Sequence, residues 1–238
     1  MGNVFIATPT TRDFPGTYIK SIWTTEIKGR VAWDYVEGQA IDIGRNSVVK
    51  KFLKLKDYDY LLMHDSDATW HPGAIQRLIE RDLPVVTAVI FKRGLPTLPT
   101  IGKHVSISPE GAHLYSFADT INRILEVVKR EKLDPDCRNI QLFDKHSDDI
   151  QEIDGAGAHF MLIRRDVLEA MSEPYYQCSR VNSGEDFYFC RKVQEAGFKQ
   201  YVDYSVYTGH HVGGGIEFGI REFMLYSDKA KLDTVWTI

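Results

Sequence analysis

Two carboxylates one residue apart, Asp65 and Asp67 in His64-Asp65-Ser66-Asp67, carry the strongest chemical signal in this sequence. They end the apolar run Tyr60-Leu61-Leu62-Met63, the pattern of a strand buried on both faces. The carboxyl ends of strands border the ligand crevice of open α/β sheets. Unpaired carboxylates there repel each other and partly reprotonate. A divalent cation removes the conflict, and oxygen donors suit Mg2+ or Mn2+. The bland alternative is an acidic loop ahead of the helix expected from Pro72. A second acidic pair, Glu185-Asp186, opens a helix. It either complements the helix dipole or supplies a base for an attacking hydroxyl. His210-His211 follow an apolar run, and neighbours on an extended segment point to opposite sides, so at most one is a ligand. Arg45-Asn46, near a helix start, is either an exposed turn or a source of charge-assisted hydrogen bonds to a phosphate or base. Gly155-Ala156-Gly157 is too short for a dinucleotide fingerprint and marks backbone passing close to a neighbour.

The elements that must position these residues alternate between short β-type runs and helical patterns, which favours a mostly parallel sheet with flanking helices. Strands are expected at Val4 to Ala7, Arg30 to Val36, Tyr60 to Met63, Val85 to Phe91, Phe160 to Ile163 and Tyr201 to Tyr207. Helices are expected at Tyr18 to Ile27, Ile43 to Leu55, Pro72 to Arg81, Phe117 to Lys132, Arg165 to Met171 and Glu185 to Ala196. Lys92 to Ile107, with its prolines, reads as irregular surface chain, and Asp134 to Asp149 has no clear period. The tail, Phe218 to Leu232, reads as helical. With no repeat and no linker, residues 1–238 read as one domain.

Composition excludes several classes. A chain that is 43% hydrophobic and 26% charged is not disordered. A net charge of −4 provides no global basic field for nucleic acid or anionic lipid. Cys137, Cys178 and Cys190 are odd in number and lack CxxC spacing, which argues against a disulfide scaffold or thiolate zinc cluster and for a reducing compartment. The N-terminus lacks a signal-peptide pattern, Met1-Gly2 is a weak myristoylation site, and no apolar run approaches the roughly 20 residues of a membrane span.

Taken in order, the motifs resemble one family. They are Thr8-Pro9 after the first strand, Arg45-Asn46, Tyr60 to Asp67, Gly155-Ala156-Gly157 before Met161-Leu162-Ile163-Arg164-Arg165, Gly184-Glu185-Asp186-Phe187-Tyr188-Phe189-Cys190, Glu195-Ala196-Gly197-Phe198 and Gly209-His210. The set resembles GT-A glycosyltransferases of the family 2 type found in bacteria and their phages. It spans roughly residues 4–211 and leaves out 103–149, a variable acceptor-side segment, and the tail 216–238. The resemblance implies a GT-A (Rossmann-like) α/β fold, a nucleoside-diphosphate sugar donor and Mn2+ or Mg2+. It implies that Asp67 and His210 ligate the metal and that Asp65 and Ser66 approach the donor. Thr8, Pro9 and Arg45 would line the nucleotide pocket, and Gly155, Ala156 and Gly157 would border the acceptor. Asp186 would act as base, with Glu185 beside it, in an inverting transfer. Lys92-Arg93 would face the same crevice. The acceptor is left open among a glycan, a lipid-linked glycan, a protein and a modified nucleobase, as is self-association. The expected location is the cytoplasm of a bacterium or phage-infected bacterium.

Three rivals accompany this reading. Asp65-Ser66-Asp67-Ala68-Thr69 fits the DxDxT signature of haloacid-dehalogenase-like phosphotransferases, although that signature lies on the first strand of its domain. A nucleotidyltransferase would need a glycine-rich loop where Thr8 to Asp13 has none. A non-catalytic nucleotide- or sugar-binding module would bind without turnover. In the transferase reading the four acids of the two pairs converge on a crevice that an anionic donor enters only with a cation.

Overall fold

The apolar run at the N-terminus forms a strand that continues through Pro9: β1 spans Val4–Thr10. Proline is tolerated because β1 outruns its inner neighbour. Pairing with the third strand stops at Ala7↔Met63, whereas pairing with the second continues to Thr10↔Glu37. The computed structural model describes residues 2–11, 13–178, 184–226 and 235–237. After β1 come α1 (Gly16–Thr24), β2 (Val31–Glu37), α2 (Ile41–Lys54), β3 (Tyr60–His64), β4 (Ala68–Thr69), α3 (Ala74–Ile79) and β5 (Val85–Val89). The next elements are β6 (Ile101–Ile107), β7 (His113–Ser116), α4 (Ala118–Arg130), β8 (Gln141–Leu142), β9 (Ile150–Ile153) and β10 (Gly155–Ala156). The chain then forms β11 (Phe160–Arg164), α5 (Arg165–Ala170), α6 (Gly184–Glu195) and β12 (Gln200–Tyr207). It ends with β13 (Gly209–Gly213), β14 (Ile216–Phe218), α7 (Ile220–Tyr226) and β15 (Val235–Thr237).

The main sheet has the order β2-β1-β3-β11-β5-β12-β8, with β9 also paired to β12. β2, β1, β3, β5 and β12 run in one direction, while β11 lies antiparallel between β3 and β5. Apolar side chains on the two faces form two cores. One packs under α2 and α4, through Val48, Val49, Phe52, Ile121, Ile124 and Val127. The other packs under α1 and α3, through Tyr18, Ala74, Ile75 and Leu78. Helical periodicity is the reason: in α2 the lysines 51 and 54 take the outer face while Val48, Val49 and Phe52 take the inner one. Ile43, at the amino end of that stripe, is exposed instead.

Two expectations are corrected. Lys92 to Ile107 is not irregular throughout: it contains β6, which pairs with β7 and β10, and its Leu98 and Ile101 are core residues. Within 103–149, α4 covers the sheet and β8 extends it. The tail is not helical from Phe218: β14 precedes α7, and the expected helix beyond 226 lies outside the described residues.

Candidate active site

Asp65, Ser66 and Asp67 leave the carboxyl end of β3, and the chain is pinned there from two sides. The antiparallel partner β11 starts opposite His64, so the Asp65 N–H donates to the His159 carbonyl at 3.2 Å. A small sheet, β14-β13-β4, pairs Ala68 with His210, and the His211 N–H donates to the Asp67 carbonyl at 2.8 Å. Asp67, His159 and His210 are thereby brought together from three separated stretches of sequence. Their ligand atoms all lie within 4.8 Å of one another. His210 Nε2 is 3.3 Å and His159 Nδ1 3.9 Å from Asp67 Oδ1. The two imidazoles are tilted at 37° to each other with centroids 4.1 Å apart.

A cation fits this donor set. All three side chains are largely buried, and His159 Nδ1 and His210 Nε2 are buried without a hydrogen bond among the described residues. The opposite nitrogen of each ring reaches a backbone carbonyl: His210 Nδ1 lies 3.0 Å from the Phe91 oxygen and His159 Nε2 3.3 Å from the Gly209 oxygen. Such outer bonds fix the tautomer and turn the free lone pair toward a metal. Burial lowers the His210 pKa, aided by the neighbouring His159. At His159 burial acts the same way, but the carboxylates of Asp65 and Asp67 outweigh it and raise the value. Burial likewise pushes the Asp67 carboxyl up, yet the two imidazoles leave it below its ordinary range.

Beside this group sits Arg45, a buried guanidinium of α2. Its Nη2 donates to Asp65 Oδ1 at 2.9 Å and lies 3.3 Å from Asp186 Oδ1; its Nε is 3.4 Å from Glu185 Oε1. The three carboxylates keep the guanidinium charged despite burial. In return Arg45, with the two imidazoles, overcomes burial and holds Asp65 far below the usual carboxylate range. Asp186 differs: burial, with Glu185 and Asp65 adding repulsion, raises it to about 7 although Arg45 opposes them. Arg93 completes the set, donating from Nη1 to Asp67 Oδ2 at 2.8 Å.

Arg45, Asp65, Ser66, Asp67, Arg93, Glu185 and Asp186 line a cavity of about 570 Å3 together with Pro9, Thr10, Thr11, Gln39 and Ile41. Of the residues expected in the site, Asp65, Ser66, Asp67, Pro9, Arg45, Glu185 and Asp186 line it, and His210 stands behind Asp67. Thr8 does not line it. Its hydroxyl is buried against Tyr18 Oη at 2.6 Å and His64 Nε2 at 2.9 Å, in a network where burial drops His64 to about 3 and keeps the ring neutral. Arg45 is no free phosphate ligand; its donors are committed to carboxylates and to the Ala158 carbonyl. Gly155 and Ala156 form the short strand β10, where backbone does pass close to a neighbour: a Cβ on Gly155 would stand 2.5 Å from the Phe187 ring of α6. Gly157 faces Thr100 and the Asp186 carboxylate. Of the Lys92-Arg93 pair, Arg93 enters the cavity and Lys92 lies over the Phe117 ring. Tyr115 and Phe117 are core residues.

Sequence reasoning missed His159. A single histidine between Ala158 and Phe160 carries no spacing signal. Only the antiparallel direction of β11 puts its start, rather than its end, beside Asp65. DxDxT chemistry finds little support: Asp65 follows the third strand, not the first, and its Oδ1 is held by Arg45.

No protein-family model matches the chain, and no curated protein matches it by sequence. Solved structures do match in fold. A197 from STIV superposes with a TM-score of 0.59 at 16% identity, over 93% of this chain and 92% of that one. GalNAc-T7, solved with UDP, GalNAc and Mn2+, superposes with a TM-score of 0.55 at 11% identity, over 88% of this chain and 44% of that one. At such identities the likeness speaks for the backbone alone, and the chain has a GT-A-like α/β fold.

Proposed function

We propose that this protein is a metal-dependent glycosyltransferase that moves a sugar from a nucleoside-diphosphate sugar to an acceptor hydroxyl with inversion. One observation carries the reading. Asp67, whose carboxylate is shared with a buried His159–His210 pair, and Asp186, a carboxyl raised to about 7, line one cavity at the carboxyl end of a GT-A-like sheet. Asp67, His159 and His210 would hold the dication, whose chemistry is Lewis-acid neutralisation of charge on the departing diphosphate, contributing several kcal/mol.

The chain's own groups do the rest. Pro9, Thr10, Thr11 and Ile41 form the wall where the nucleotide would lie, and Arg93, its side chain half-exposed, offers a guanidinium to phosphate oxygens. Arg45 fixes Asp65 toward the donor and holds Asp186 beside it. The Asp186 carboxylate would take the acceptor O–H proton as the acceptor oxygen bonds to the sugar carbon and the carbon–oxygen bond to the diphosphate breaks. A base with a pKa near 7 is matched to that task at neutral pH. Gly157, against Asp186, would border the acceptor.

The deciding experiment incubates the protein with Mn2+ and a panel of nucleoside-diphosphate sugars and measures released nucleotide. Release from at least one donor is expected, reduced about 100-fold or more in Asp186→Asn. Binding of nucleotide without release under any acceptor would leave a non-catalytic module.

A further inference from the structure

A second cavity lies outside the site described above. It measures about 630 Å3, a usual size for a small-molecule site, and shares no lining residue with the cavity of Asp65 and Asp186. We propose that it binds an anionic sugar, a single ring bearing a phosphate or a carboxylate, between Lys20 and Arg138. The inference does not rest on the transfer reaction: this cavity can fill in a chain that transfers nothing, and transfer can proceed with it empty.

Charge is the first ground. Lys20 stands on α1 and Arg138 on the chain leading into β8, and both line the cavity. Neither side chain has a hydrogen bond or a carboxylate partner among the described residues. The acid of the lining is Glu217, whose carboxylate accepts the Thr69 hydroxyl. Two cations against one carboxylate leave an excess of positive charge here, in a chain whose net charge is −4. An anionic group between Lys20 and Arg138 gains charge-assisted hydrogen bonds from both.

Hydrogen-bonding capacity is the second ground. On α1 the Ser21 hydroxyl donates to the Thr17 carbonyl at 3.2 Å, and the Thr24 hydroxyl donates to the Lys20 carbonyl at 2.9 Å. With their protons spent, both keep acceptor lone pairs, although Ser21 lends one to the Trp70 N–H. Gln141 donates to the Arg138 carbonyl, while its Oε1 accepts nothing among the described residues. The Glu217 carboxylate only accepts. Such a wall calls for a ligand rich in O–H donors, which a sugar ring carries and a bare anion lacks. Pro72 and Ile140 add apolar surface for the C–H groups of the ring. Position also matters. Thr69 lies two residues beyond Asp67, and it packs with Glu217 so closely on Gly209 that a Cβ there has no room. The sugar would therefore sit against the small sheet that carries His210. The competing reading is two solvated surface cations bordering a water-filled recess.

The test titrates the full chain, in EDTA and without nucleotide, with glucose 6-phosphate, glucuronate, glucose and inorganic phosphate, followed by calorimetry. One molecule of glucose 6-phosphate or glucuronate per chain is expected, bound at least about tenfold more tightly than glucose or inorganic phosphate. The tighter of the two sugar anions identifies the favoured group as phosphate or carboxylate. The double variant Lys20→Gln, Arg138→Gln is expected to weaken that binding more than about tenfold. Its melting temperature should stay near the parent's, since both side chains are exposed. Should the double variant fold poorly, amide chemical shifts in the unaltered protein locate the ligand. Shifts within residues 17–24 and 138–141 support the proposal, and shifts confined to the surroundings of Arg45 and Asp186 overturn it. Binding of neither sugar anion, equal binding of glucose or inorganic phosphate, or equal affinity in the folded double variant would also overturn it.

Discussion

Removing the Arg45 guanidinium would strand Asp65, Glu185 and Asp186 around a buried vacancy. Breaking a buried ion pair from one side costs about 3–5 kcal/mol, because the remaining charge has neither partner nor water. Arg45→Met is therefore expected to lower unfolding free energy in urea by about that amount. Asp186 presents the opposite sign. Its folded-state value of about 7 lies above its ordinary 3.8, so the folded state binds the proton more tightly than the unfolded chain. Stability contributed by this group is full below the unfolded value and is lost as pH rises through about 7. Asp186→Asn is accordingly expected to melt higher than the parent at pH 8, with the gap shrinking toward pH 4. The same group predicts that transfer rises with pH through about 7, a limb that vanishes in the Asn variant. A parent rate flat across pH 6–8 under chemistry-limited conditions would remove Asp186 as base.

Among the elements, α6 is placed by contact rather than by propensity. Phe187 lies against Gly155, and Tyr115 packs edge-on to Phe187 at 4.5 Å between centroids. Gly155→Ala would drive a methyl into that ring and shift the helix that carries Glu185 and Asp186. The expected result is transfer reduced about 100-fold with Mn2+ affinity unchanged, read by parallel activity and metal titrations. The acidic turn after β3, the Glu185-Asp186 helix start and the strand before His210 were all legible, because burial on both faces and helical periodicity leave strong local marks. The β6–β7 hairpin and the direction of β11 were not. Strand direction is set by which neighbours a strand pairs with, and no local pattern encodes that. The same limit hid His159 and misplaced Thr8, whose side chain turns inward to Tyr18 and His64. Arg45 was read as an exposed turn or as a donor to a phosphate or base, and its ion pairs stayed hidden because the carboxylates it meets lie 20 to 140 residues away along the chain.

For the whole molecule, the excess of acid over base is concentrated where it matters less than the formal charge suggests. Asp65, Asp67, Glu185 and Asp186 share the cavity with Arg45 and Arg93, so a nucleotide would meet a partly neutralised wall even before a cation is added. Metal remains the largest single contribution to be gained: at a hundredfold excess over Kd, Mn2+ is expected to add about 2.7 kcal/mol. For a chain of this size that corresponds to a melting shift of about 5–11 °C, measurable by calorimetry and reversed by EDTA. Arg45 has a further consequence, in time rather than in energy. The contact from Arg45 to Glu185 spans 140 residues and that to the Ala158 carbonyl spans 113. Closing loops that long is costly, and a polar bolt between α2 and α6 gains its strength only once the surrounding core has excluded water, so it is expected to form late in folding. Conservative substitutions at Glu185 should then leave the refolding rate untouched and accelerate unfolding alone, which stopped-flow chevrons would register as a φ-value near zero.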